Sequence, residues 1–130
     1  VNRSDLATPR SKVEGLGSAK AGTSHFWHQR VTAVALAPLA IWFVISVVTH
    51  VGASQSDVAA FFAAPVNAVL MFLFLGCALY HMSLGLQIII EDYIHQRGMK
   101  ALLLILNTFF ALSVGLAAGL ALLKLALSGS

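Results

Sequence analysis

Charge is scarce in this chain. Of 130 residues only 10% are Asp, Glu, Lys or Arg, while 58% are hydrophobic. A soluble domain of this size needs many more charges to cover its surface. Cysteine is nearly absent. Cys77 stands alone, which excludes an internal disulfide and any cysteine-built metal centre, and its place in an apolar block reads as a small buried hydrophobe. There is no glycine-rich dinucleotide loop. Residues 1–30 lack an apolar h-region, so the first apolar span is expected to be a retained signal-anchor. The net charge of +3 and pI of about 9.4 come without a basic helix or an aromatic stacking platform, so nucleic acid is not an expected partner.

What the chain does have is three long apolar blocks, at about residues 32–51, 66–90 and 101–127. Crossing a hydrocarbon core of about 30 Å takes roughly 20 helical residues, and each block is long enough. The expected fold is therefore all-α, integral to the membrane, with three transmembrane helices following a flexible N-terminal arm over residues 1–24. Residues 25–130 form the transmembrane anchor domain. Pro38 lies inside the first span and removes one backbone donor, so a mild kink is expected there. Between the first two spans, Ser54 followed by Gln55, Ser56 and Asp57 predicts a short capped interfacial helix. Gly115 and Gly119 form a small-xxx-small pair in the third span.

Basic residues set the expected orientation. Arg3, Arg10, Lys12, Lys20 and Arg30 precede the first span, and Arg97 and Lys100 lie in the second connection. The loop from Gly52 to Pro65 has neither Lys nor Arg, and only Lys124 lies near the C-terminal end. The positive-inside rule then puts the N-terminus and the 91–100 segment in the cytoplasm.

Ionisable groups at membrane depth are costly and mark function. His81 is the sharpest of them. It sits about ten residues before the end of its span, roughly 15 Å below the interface by helix rise. An imidazole there can bridge helices, relay protons or ligate haem iron, and a haem with two histidine ligands would need its second from another chain. His50 lies near the opposite interface, as a satisfied interfacial histidine. Asp92 follows His81 by almost three whole turns, so the two share a helix face about 16 Å apart. Gly85, one turn after His81, leaves room either for a flat group or for close helix packing. Tyr93 beside Asp92 pairs a phenol donor with a carboxylate, which suits a quinone carbonyl as well as it suits an aromatic belt. Arg30, at the same membrane face, can meet a haem propionate, Asp92 or a lipid phosphate.

The pattern His81-x3-Gly85-x6-Asp92-Tyr93, running from a second span into a short basic loop, resembles the smaller membrane anchor of succinate:quinone oxidoreductases (respiratory complex II). Gln29-Arg30-Val31-Thr32-Ala33-Val34 resembles that family's opening of span one, and Leu104 to Phe110 is similar to the third span of its alphaproteobacterial members. The larger anchor's Ser-x-x-His-Arg motif is absent. The resemblance implies several roles. His81 would be one axial ligand of haem b, with the other supplied by the larger cytochrome b anchor. Tyr93 would donate to a ubiquinone carbonyl, and Asp92 would shape the site or its proton supply. Arg30 would lie near the haem propionates or the quinone. Flavin and iron–sulfur clusters would belong to a flavoprotein and an iron–sulfur subunit, and the complex would sit in a bacterial inner membrane among lipids. Two alternatives stay open: the anchor of a fumarate reductase, and a small non-enzymatic membrane protein whose buried histidine is structural.

Overall fold

A computed structural model of the protein describes residues 20–128, with side chains from Thr23 onward. Four helices follow in order: α1 (Lys20–Thr49), α2 (Gln55–Ala63), α3 (Pro65–Tyr93) and α4 (Arg97–Ser128). Among the described residues α1, α3 and α4 are long and apolar enough to span a membrane, as the sequence predicts. Most of the expected arm, with Arg3, Arg10 and Lys12, lies outside the described residues.

The ends of these helices follow from local chemistry. Ser54 caps α2 with its hydroxyl, which accepts the backbone N–H of Asp57. Pro65 opens α3, where its missing N–H would have had no helical partner. Gly52, at φ +83°, turns the chain between α1 and α2. α1 runs through Pro38 as one element and starts at Lys20, upstream of the predicted span. Hydropathy marks where the chain is apolar, whereas the helix continues through the polar His25–Arg30 stretch because nothing there breaks it.

The spanning helices are arranged in a row. α3 is central and packs on α1 along one side and on α4 along the other, while no Cα of α1 comes within 8 Å of α4. α2 lies across the far end and touches both α3 and α4. Trp42 of α1 meets Phe62 edge-on at 6.4 Å, and the Asn67 amide donates to the Phe61 carbonyl at 2.9 Å. At that end His50 is satisfied as expected: its Nδ1 lies 2.8 Å from the Ser46 carbonyl and its ring packs on Phe61.

Little of the chain is buried within itself. The buried side chains among the described residues are more often small or polar than large: Thr32, Ser46, Ala68 and Asn107 against Leu84 and Leu122. Ile41, Val48, Phe109 and Leu116 are exposed. In water this would be an aggregation-prone surface. In lipid it is the ordinary pattern, because packing and interhelical hydrogen bonds, not apolar burial, hold such helices together. The α3–α4 seam shows the pattern plainly. Gly115 and Gly119 receive the side chains of Leu79 and Phe72, and the Asn107 amide donates to the Ser83 carbonyl at 2.9 Å.

Asn107 gives a first prediction. Its Oδ1 is buried without a partner among the described residues, and Nδ2 reaches one residue across the seam, donating to the Ser83 carbonyl at 2.9 Å and more weakly to its hydroxyl at 3.3 Å. Such contacts are worth about 0.6 kcal/mol on average. Asn107→Ala also removes the unpaired oxygen, which offsets part of that loss. The variant should lower the stability of the assembled protein by less than about 1 kcal/mol, read by denaturant titration in mild detergent. A loss of several kcal/mol would contradict this account of the seam.

Candidate functional site

At the end of the bundle that carries Arg30, Arg97 and Lys100, α1 and α3 are joined by polar side chains. His81 projects from α3 toward α1. Its Nδ1 lies 2.9 Å from the Thr32 hydroxyl, and its Nε2 lies 3.3 Å from the amide nitrogen of Gln29. Gln29 and Thr32 are three residues apart on α1, so both fall on the face turned to α3. His81 itself is half-buried.

Nearer the end of the bundle the two helices border a cleft of about 510 Å³. Its walls are His25, Phe26, Gln29 and Arg30 from α1 with Gln87, Ile88 and Glu91 from α3. The Gln87 amide donates to the Glu91 carboxylate at 2.8 Å and lies 3.5 Å from Nε2 of His25. The guanidinium of Arg30 stands over the Phe26 ring, 4.9 Å from its centroid. A cation over an aromatic face is attracted to the ring quadrupole, and this contact holds the charge at the rim. Lys100 donates to the Glu91 carbonyl at 2.9 Å and ties the start of α4 to the end of α3.

The predicted residues are thus partly gathered. Gln29 links His81 to the cleft that Arg30 lines. Asp92 and Tyr93 end α3 beside that cleft but do not line it, and both are exposed, Tyr93 at 76%. Glu91 and Gln87 face the cleft instead. Sequence reasoning passed over Thr32 and Gln29 as partners of His81. A threonine at the start of a span has many bland reasons to be there, and pairing it with a residue 49 positions away needs the helix register.

The site can be tested against a haem on the chemistry of its donor set. An iron ligand needs an imidazole nitrogen with a free lone pair, its other N–H held by a second group. His81 can meet both needs, with the Thr32 hydroxyl at Nδ1 to hold one nitrogen and only the longer Gln29 contact to displace at Nε2. Gly85 adds space: a Cβ built there would come 3.6 Å from the Gln29 amide nitrogen, so that amide fills the room beside the imidazole. The Gln29 Oε1 is buried with no partner among the described residues. An amide with an orphaned oxygen is held poorly enough to give way. The residues present fit the group.

Comparison with known proteins gives consistent findings. Residues 4–115 match a family model described as the succinate dehydrogenase/fumarate reductase transmembrane subunit. The succinate dehydrogenase hydrophobic membrane anchor subunit of Paracoccus denitrificans is 39% identical over 120 residues, covering 92% of each chain. That of Rickettsia typhi is 31% identical over 78% of this chain and 81% of its own. The succinate dehydrogenase membrane anchor subunit of Reclinomonas americana is 26% identical over 73% and 82%.

Proposed function

The chain belongs to the family of succinate dehydrogenase/fumarate reductase transmembrane subunits, and from that premise we propose that it is the anchor of a succinate:ubiquinone oxidoreductase that supplies one haem b ligand and part of the quinone-reduction site. The observation that carries this reading is the His81 imidazole, pinned between Thr32 and Gln29 next to a cleft that opens toward the basic end of the bundle. The relatives compared are named for succinate dehydrogenase, which favours succinate oxidation over fumarate reduction as the working direction.

In this reading the basic end faces the cytoplasm of a bacterial cell, following the positive-inside rule. The exposed flanks of the row of helices support a role as one piece of a larger assembly. Its partners are a larger cytochrome b anchor, an iron–sulfur subunit and a flavoprotein, with lipid around the remainder. His81 would hold the haem iron through Nε2, with a second ligand from the larger anchor. Bound there, haem b supplies a one-electron store beside the quinone. Arg30, held at the rim over Phe26, offers its charge to a propionate or a quinone oxygen. Tyr93 donates its phenol O–H to a ubiquinone carbonyl, and Asp92 beside it gives protons a wet route to the site. Both are exposed at the end of α3, where a ligand shared with neighbouring subunits can reach them.

The whole reading is tested on the complex isolated through a tag on this chain. Its dithionite-reduced minus oxidised spectrum should show a b-type haem at about one per copy of the chain, alongside succinate-dependent ubiquinone reduction. A colourless complex, or one indifferent to ubiquinone, would overturn it.

A further inference from the structure

We propose that Thr32 is the positioning residue for His81: its hydroxyl oxygen accepts the Nδ1–H of the imidazole, fixes tautomer and ring orientation, and so presents the Nε2 lone pair as the ligand atom. This deepens the haem reading given above and rests on it.

One hydrogen atom decides the tautomer. The Thr32 hydroxyl lies 2.7 Å from the His28 carbonyl and 3.1 Å from the Gln29 carbonyl. Carbonyls only accept, so the single hydroxyl hydrogen is committed to the backbone of its own helix. What Thr32 turns toward His81, at 2.9 Å, is a lone pair. Two lone pairs do not share that distance, so Nδ1 must carry the proton. A neutral imidazole with its proton on Nδ1 has Nε2 bare.

A second contact agrees with this tautomer. The group that meets Nε2 is the amide nitrogen of Gln29, a donor, at 3.3 Å. The two partners are unequal. Thr32 is buried, stiff at χ1 because it is β-branched, and anchored by its backbone bonds. Gln29 is a long side chain on a weaker contact, with its oxygen unpaired. When Nε2 serves as a ligand, Gln29 gives way and Thr32 stays. The Nδ1–H···Oγ1 bond then makes the imidazole a more basic ligand, which favours ferric over ferrous iron.

Three variants of the assembled complex test this. Thr32→Val keeps the shape and removes the acceptor, Thr32→Ala removes it without adding a branch, and Thr32→Ser restores it. Loss of an outer-shell partner typically costs about 10–100-fold in metal affinity. Val and Ala should therefore weaken haem retention on detergent washing about tenfold or more, raise the haem midpoint potential and shift the ferric EPR signal. Ser should return all three toward wild type. Succinate oxidation by an artificial dye should stay unchanged throughout. Wild-type haem retention, potential and EPR signal in whichever of Val or Ala assembles would overturn the inference, as would a Ser variant that behaves like them. A complex that keeps its haem after His81→Ala would instead overturn the ligand reading itself, so the two failures are told apart.

Discussion

His81→Ala should strip the assembled complex of its b-type absorbance. Among the described residues it is the one imidazole at that depth, with the Thr32 hydroxyl at Nδ1 and the Gln29 amide at Nε2. The other described histidines sit elsewhere. His25 lines the cleft toward the end of the bundle, His28 packs edge-on against Tyr80, His50 is at the opposite end against Phe61, and His95 is exposed in the connection after α3. None stands one turn from Gly85. Removing a ligand costs at least as much as removing a group behind it, so haem content should fall by at least about tenfold. The variant also leaves the Thr32 lone pair and the Gln29 amide without their partner. Unpaired buried polar groups cost about 1–3 kcal/mol each, so the complex should be less stable but still assembled, which native electrophoresis checks. Haem content is scored per assembled complex. Normal haem b in assembled His81→Ala would end the ligand reading.

Tyr93→Phe should separate two activities. Ubiquinone reduction by succinate should fall about ten- to a hundredfold, while succinate oxidation by an artificial dye stays near wild type. Losing one hydrogen bond to an oxygen that gains negative charge costs about 1.5–3 kcal/mol, which is a factor of about 10 to 100 in rate. The variant is well suited to the question because Tyr93 ends α3 and is exposed. Deleting its hydroxyl opens no cavity and orphans no buried partner in this chain. A Tyr93→Phe complex with both activities normal would remove Tyr93 from the quinone site. Attention would then move to the cleft that Arg30, Gln87 and Glu91 line.

Much of the fold is legible in the residues. The Ser54 cap of α2 is a local signal, readable because the hydroxyl and the N–H it accepts lie three residues apart. The three spans are legible because lipid permits only helices whose backbone bonds are made internally. The start of α1 is less legible, since helix and apolar span end at different places. The polar His25 and Gln29 stay helical and use that register to reach Gln87 and His81.

The site is legible in a different proportion. His81 stands out alone, because an imidazole far from water must have a reason to be there. Arg30 lines the cleft with its guanidinium over Phe26, a placement that the sequence reading of a cation at the membrane face does not specify. That Asp92 and His81 share a face follows from helix geometry, but that Glu91 and Gln87, not Asp92 and Tyr93, line the cleft does not. Which face of α3 meets α1 depends on how two helices cross, and no single segment records that.

By itself the sequence determined that this is a three-span membrane protein, which end carries the positive charge, and that a histidine lies deep in the second span. Each follows from one-dimensional facts: the cost of burying charge in hydrocarbon, and the rise of a helix per residue. Only the tertiary structure decided that α3 stands between α1 and α4, and that Thr32 and Gln29 close on the two nitrogens of His81. The reason is that hydrogen bonds between helices depend on azimuth and crossing as well as on depth, and both are set by packing along the whole length of two elements.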